Sequence, residues 1–117
     1  MNLALRGQIV FVALPHDPPG KGSRPAIVVS LDARNRHPRA HSILVVPLST
    51  SVHKAEYTAH LLLSAGETGL SEDSIARAED VTVVLKSAIS QPRNPLRNVS
   101  NRRICELADK VKLAMGC

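Results

Sequence analysis

The chain has 117 residues, and its length predicts one globular domain spanning residues 1–117. Phe11 and Tyr57 are its only aromatic residues, which argues against a nucleic-acid platform built on stacked aromatics. Lys and Arg outnumber Asp and Glu by 15 to 10, giving a net charge of +5. This balance favours a polyanionic partner, although ordinary solubility charge is an alternative explanation.

Several functional classes find no support in the sequence. Cys105 and Cys117 form neither a metal-ligand spacing nor a disulfide framework, and no phosphate-binding loop, dinucleotide fingerprint, nucleophile elbow or zinc signature is present. We therefore predict no metal and no cofactor. No signal peptide and no apolar stretch of about 20 residues is found, so the prediction is a cytoplasmic protein without a membrane partner.

In chain order, five extended segments rich in aliphatic residues are bounded by Gly, Pro and Asn. They cover residues 8–14, 25–31, 42–48, 57–64 and 74–85. Because no long helical pattern separates them, the sequence predicts a mainly β protein, either an antiparallel barrel or a sandwich.

The C-terminal segment differs from the rest. Apolar residues recur there at spacings of three and four, the pattern of one helical face, at Ile104, Leu107, Ala108, Val111 and Met115. A helix over residues 100–115 is predicted, with Ser100 as its N-cap and Gly116 closing its C-terminus.

Arg24 is the first candidate for chemistry. It stands at the start of the second extended segment, after a Pro- and Gly-rich loop at residues 15–23. Its permanent charge and five donors suit a phosphodiester, whereas a solvated arginine at a strand end is the alternative. Within the loop, His16 is a candidate acid or base, and both His16 and Lys21 are candidate RNA contacts.

A second candidate is the pair Arg77 and Glu79. In a continuous strand, these residues share one face with Ile75, Val81 and Val83, roughly 7 Å apart along the strand. A carboxylate held beside an arginine can act as a general base. The alternative is an ion pair on a solvated face.

Further polar residues could contact a phosphate backbone. Ser49 and Thr50 end the third extended segment, where hydroxyls can bind phosphate or simply serve a turn. Arg34 and Arg36 lie in a basic loop at residues 32–42, and Lys54 lies in the loop at residues 49–56. These cations are predicted RNA contacts, with a solvated loop as the alternative. Histidines other than His16 are predicted to be loop or surface residues.

Taken together, a series of short motifs resembles the MazF/PemK (Kid-like) toxin family of type II toxin–antitoxin systems. The motifs are RGQIV at residues 6–10, RPAIVVS at 24–30, VVPLS at 45–49, His60-Leu61, Gly69-Leu70, Asp73-Ser74 and Lys86.

The resemblance implies a five-stranded SH3-like antiparallel β-barrel of the CcdB/PemK type with helices, one of them C-terminal. It also implies a homodimer, selective cleavage of single-stranded RNA, and inhibition by a small antitoxin whose disordered tail wraps the toxin. The family's strand-two arginine falls on Arg24, its strand-three threonine on Ser49, and the late-strand arginine and acid of some members on Arg77 and Glu79.

The sequence departs from the family pattern at several points. The loop before Arg24 is shorter than usual and lacks the typical HEQ-like stretch. Asp80 replaces a common glutamine, Thr82 and Leu85 stand where an arginine and an aspartate are expected, and Phe11 replaces a tryptophan.

The implied reaction is attack by the RNA's own 2′-hydroxyl without a metal. Arg24 stabilises charge on the phosphorus, Ser49 positions the phosphate, and Glu79 or His16 takes the proton. Arg77 supports Glu79 or protonates the leaving oxygen. Two alternatives stay open: a CcdB-type barrel that binds gyrase through its last helix, and an inactive interaction module.

Overall fold

The computed structural model describes residues 4–51, 59–91 and 96–117. The strands are β1 (Ile9–Val12), β2 (Arg24–Val28), β3 (Ser42–Ser49), β4 (His60–Leu63), β5 (Ser74–Arg77) and β6 (Thr82–Leu85). The helices are α1 (Asp32–Asn35), α2 (Ala65–Thr68) and α3 (Asn101–Ala114), and two 3-10 turns cover Ala78–Asp80 and Lys86–Ala88.

The six strands form one antiparallel sheet with the order β1-β2-β3-β5-β4, and β6 also pairs with β3. The long strand β3 is shared, because its first residues pair with β6, its middle with β2 and its last two with β5. An isolated bridge between Phe11 and Ser90 brings the chain after β6 back to β1. The sheet is therefore barrel-like, and the ladders between described strands do not close it completely.

Alternating residues of the central strands enter two different cores. Ile9, Ile27 and Val46 belong to one cluster, whereas Val10, Val28 and Val45 belong to the other. Neighbouring strand residues point to opposite faces, so this sheet is buried on both sides. Double burial explains why the sequence of these strands is a continuous apolar run rather than an alternating one.

Helix α3 covers the first of these clusters. Its N-cap is Ser100, whose hydroxyl accepts a hydrogen bond from the Arg103 backbone N–H. Ile104 and Leu107 are buried, which confirms the predicted helix and its apolar face at this end. The predicted face is not buried along its whole length, since Ala108 and Met115 are exposed.

Arg103 ties α3 to the rest of the fold. Its guanidinium bonds to Glu67 of α2 at 2.8 Å, to Glu106 at 2.7 Å and to the Leu62 carbonyl of β4 at 2.5 Å. A single side chain thus joins two helices and an edge strand.

The single strand predicted over residues 74–85 is wrong. The chain leaves the sheet after Arg77, makes the 3-10 turn at Ala78–Asp80 and re-enters it as β6 beside a different part of β3. Glu79 consequently lies in a turn, not on a strand face shared with Arg77. The basic loop at residues 32–42 also differs from its prediction, because it opens with one helical turn, α1.

Candidate active site

Arg24, at the first residue of β2, is held from two sides. Its Nη1 donates to Asp17 Oδ1 at 3.0 Å, and its Nη2 donates to the Leu48 carbonyl oxygen at 3.3 Å. The Arg24 side chain is 19% exposed, so it reaches solvent from a fixed position. Since a guanidinium has five N–H donors, several remain for an anionic ligand.

Strand registers explain why these residues meet. Val12 is paired with Arg24 across β1 and β2, so the loop that follows Val12 passes over the start of β2. Ala26 is paired with Pro47 across β2 and β3, and continuing that antiparallel ladder brings Arg24 to the end of β3. Ser49 lies at this end, where its Oγ accepts a bond from the Ser51 backbone N–H at 3.2 Å. The Ser49 hydroxyl proton stays available to a phosphate oxygen.

Asp17 is a residue that sequence reasoning missed. Its side chain is only 9% exposed, and its second oxygen, Oδ2, is buried without a hydrogen-bond partner among the described residues. Leaving a buried acceptor unpaired costs roughly 1–3 kcal/mol, more for a charged group. His16 Nε2 lies 3.9 Å from Asp17 Oδ1, so Asp17 stands between His16 and Arg24.

A second polar cluster lies where β4 and β5 meet. His60 is paired with Arg77 across these strands, and the His60 ring is buried with its Nε2 2.5 Å from Glu79 Oε1. Arg77 Nε lies 3.8 Å from the same Glu79 oxygen, and Arg77 Nη2 lies 3.2 Å from Asp80 Oδ2. Glu79 is 40% exposed, so its carboxylate is oriented by the buried His60 ring and the partly exposed Arg77 yet is open to solvent.

The structure corrects the prediction that His60 is a loop or surface residue. Its ring is among the most buried polar groups of the described chain, with a side-chain exposure of 1%. The available signal was its position inside an apolar segment, HLLL, although its partner could not be inferred without the register of β4 against β5.

The two clusters are neighbours through β3 and β5. Ser49 pairs with Ile75, and Arg77 leaves β5 from the same face, about 7 Å further along the strand. Arg24 and Ser49 are thus brought together at one strand end, and Arg77 and Glu79 form the adjoining cluster.

Other predicted contacts lie elsewhere. Thr50 is exposed and directly follows Ser49. Lys21 is exposed in the loop that precedes Arg24. Arg34 bonds to Ser42, the first residue of β3, and so lies about 23 Å along the strand from Ser49. Lys54 lies outside the described residues.

A cavity of about 500 Å³ lies at that distant end of β3. It is lined by Arg36, His37, His41, Leu85, Lys86 and Ile89, among others. Because it touches neither Arg24 nor Glu79, its size alone does not make it the reaction centre. A smaller cavity of about 180 Å³ adjoins Ser49 and Leu48.

Across residues 4–51, 59–91 and 96–117, no group of three or more His, Cys, Asp or Glu side chains is placed to hold a metal ion. Within the same ranges, the helices are too short or too polar to cross a bilayer.

The profile of the PemK-like, MazF-like toxin of type II toxin–antitoxin systems matches residues 5–115. The chain belongs to this family. It is 34% identical over 116 residues to the endoribonuclease MazF9 of Mycobacterium tuberculosis, covering 92% of each protein.

Solved structures have the same fold. MazF from Deinococcus radiodurans superposes with a TM-score of 0.74 at 20% identity, over 100% of both chains. An endoribonuclease from a mycobacterial species, solved with its cognate antitoxin, superposes with a TM-score of 0.73 at 22% identity, over 96% of this chain and 94% of that one. The predicted mainly β fold with a C-terminal helix is confirmed.

Proposed function

We propose that this chain is the toxin of a type II toxin–antitoxin pair. It is an endoribonuclease that cleaves single-stranded RNA in an active site built around Arg24. The observation that carries the proposal is the guanidinium of Arg24, anchored between Asp17 and the Leu48 carbonyl and adjacent to the Ser49 hydroxyl. The relative with 34% identity is named an endoribonuclease, which supports the same activity here. Nothing in the comparisons favours a gyrase-binding protein.

The reaction starts with the scissile phosphate bound by Arg24 and Ser49. The 2′-oxygen of the preceding ribose attacks phosphorus, a bond from O2′ to phosphorus forms, and the bond from phosphorus to O5′ breaks. The products are a 2′,3′-cyclic phosphate and a 5′-hydroxyl end. Negative charge accumulates on the non-bridging oxygens in the transition state, where a fixed guanidinium typically contributes a few kcal/mol.

Glu79 takes the proton from the 2′-hydroxyl. The buried His60 ring and Arg77 hold its Oε1, so the carboxylate is fixed in one orientation while the other oxygen is open to a ligand. Arg77 supports Glu79 in this role or donates the proton that the departing 5′-oxygen takes up as its bond to phosphorus breaks. His16 is the alternative base, because it lies next to Asp17 in the loop beside Arg24.

Partners and location follow from the same proposal. The substrate is RNA, the inhibitor is a small cognate antitoxin, and the toxin acts as a homodimer in the cytoplasm. Sedimentation of the purified chain at several concentrations tests the dimer. Co-expression with the reading frame next to its gene tests the antitoxin, since the pair should co-purify and the toxin's RNA cleavage should disappear.

A long unstructured RNA incubated with the purified protein in excess EDTA tests the chemistry. The expected result is cleavage at defined sites, with cyclic phosphate and 5′-hydroxyl ends. Intact RNA, or cleavage that EDTA removes, would contradict the proposed reaction.

A further inference from the structure

The smaller cavity lies directly beside the proposed reaction centre. It has a volume of about 180 Å³, and its wall includes Ser49, Pro25, which follows Arg24 in the chain, and Leu48, whose carbonyl accepts a bond from Arg24. Water occupies about 30 Å³ per molecule in the liquid, so the cavity holds about six waters, close to the size of one nucleobase. When Arg24 and Ser49 hold a phosphate of the RNA, the neighbouring nucleobase can reach this cavity.

The lining residues suit a heterocyclic base better than a phosphate. Pro25 and Leu70 provide apolar surfaces for its ring faces, and Thr50 and Ser71 provide hydroxyls that donate or accept at its edge. No Arg or Lys among the residues that the structure describes lines the cavity. Its charged lining residue is an acid, Glu72, which would repel a phosphate.

Glu72 is unusual among the acids near the site. Asp17, Glu79 and Asp80 each face an arginine or a histidine, whereas no described residue forms an ion pair or hydrogen bond with the Glu72 carboxylate. A free carboxylate beside an RNA-binding arginine weakens backbone binding by charge repulsion. A hydrogen bond from the edge of a nucleobase to the Glu72 carboxylate would offset this repulsion.

The segment that carries Glu72 is anchored at both sides. Ser74 Oγ donates to the Glu72 carbonyl at 3.5 Å, and Asp73 Oδ1 accepts from the Ala65 backbone N–H at 2.9 Å. Ser74 itself is buried in β5. The cavity wall is therefore set before RNA arrives, which is the condition for discrimination between bases.

We infer that this cavity is a base-recognition subsite in which Glu72 selects a base bearing an exocyclic amino group over uracil, next to the cleaved bond. A carboxylate only accepts hydrogen bonds, so it pairs with the amino groups of cytosine, adenine or guanine. Uracil offers a single donor on its pairing edge, N3–H, and the carbonyl oxygens O2 and O4 on either side of it repel the carboxylate. This inference rests on the proposed RNA cleavage at Arg24.

The experiment is a digest of a randomised single-stranded RNA pool, with both cut ends sequenced. The proteins are the wild type, Glu72→Gln, Glu72→Ala and the control Asp109→Asn, which removes an exposed acid from α3. The wild type should disfavour uracil by about tenfold or more at one position flanking the cut. Both Glu72 variants should reduce that discrimination about tenfold while still cutting, and Asp109→Asn should keep it.

Three results overturn the inference while leaving the proposed cleavage intact. One is a wild-type pattern that prefers or ignores uracil at every flanking position. Another is an unchanged pattern in both Glu72 variants. The third is loss of all cutting by Glu72→Gln at an unaltered melting temperature, which would give Glu72 a catalytic role instead. If the wild type cuts no RNA at all, the proposed function fails as well.

Discussion

Asp17 Oδ1 accepts a hydrogen bond from Arg24 Nη1 at 3.0 Å, and both side chains are largely buried. The bond joins a loop residue to the first residue of β2, so the loop and the proposed reaction centre are connected by one ion pair. It leaves the guanidinium in a single orientation before substrate binds.

Replacing Asp17 by Asn should therefore impair cleavage without unfolding the protein. The amide keeps the size of the carboxyl group but removes the charge that fixes Arg24, and a small misplacement of a catalytic group can cost up to about 100-fold in rate. We expect a 10- to 100-fold lower single-turnover rate. Asp109→Asn is the matched control, and equal rates for the two variants would remove Asp17 from the site.

Glu79→Gln tests the proton acceptor. Loss of a general base typically lowers the rate by about 100- to 10,000-fold, and the half-exposed position of Glu79 predicts little change in melting temperature. His16→Gln should have a much smaller effect. The reverse result, with His16→Gln nearly inactive and Glu79→Gln active, would make His16 the base.

The acid stability of the fold should depend on Glu67. A hydrogen bond from the Ser64 backbone N–H, together with Arg103, holds the pKa of the Glu67 carboxyl below its ordinary value. A depressed carboxyl pKa contributes stability that is present at neutral pH and is lost as the pH falls through the folded-state pKa. Asp32 acts in the same sense, because a bond from the Arg6 backbone N–H lowers its pKa.

Thermal unfolding of Glu67→Gln against wild type between pH 7 and about pH 3 measures this contribution. The variant should be less stable at pH 7, and the difference should shrink as the pH falls below about 5. A difference that stays constant over the whole range would show that Glu67 does not act through its charge.

Two glycine-to-alanine substitutions should differ in their effect on stability, because only one of the two glycines has a backbone conformation that alanine cannot adopt without strain. Gly7 has a φ of +91°, and an added Cβ would lie 2.7 Å from the Val99 carbonyl oxygen. Gly7→Ala is thus expected to lower stability by at least about 1–2 kcal/mol. At Gly66 in α2, an added Cβ would lie 3.8 Å from Ser64 Oγ, an ordinary van der Waals distance, so Gly66→Ala should be neutral or slightly stabilising. Equal melting temperatures for the two variants would contradict this account.

Local patterns predicted much of this fold. Apolar runs located the cores of the strands, and three- and four-residue spacing located α3 with its Ser100 cap. The break after Arg77 was not predictable in this way, because residues 78–80 contain neither Gly nor Pro and their pattern continues that of the strand. The Ala78 backbone N–H still bonds to the Ala59 carbonyl at 3.0 Å, in register with β4, and the turn that follows is held by the contact of Glu79 with His60, which is remote in sequence.

In the candidate site, too, some residues could be predicted from local sequence patterns and others depend on long-range contacts. Arg24 and Ser49 were predicted from their places at strand ends, since polar residues there are visible in the sequence. Asp17 and His60 were missed because their roles depend on registers, of β1 against β2 and of β4 against β5. Single-sequence patterns give the faces of a strand but not the strand that lies opposite.

The most direct test of the central claim is the single-turnover RNA cleavage rate of Arg24→Ala in excess EDTA. Arg102→Ala is the control, because Arg102 is an exposed arginine on α3, so both variants lose one positive charge. The account predicts at least about a 100-fold loss for Arg24→Ala, with near wild-type cleavage by Arg102→Ala. Wild-type cleavage by a folded Arg24→Ala protein would contradict it.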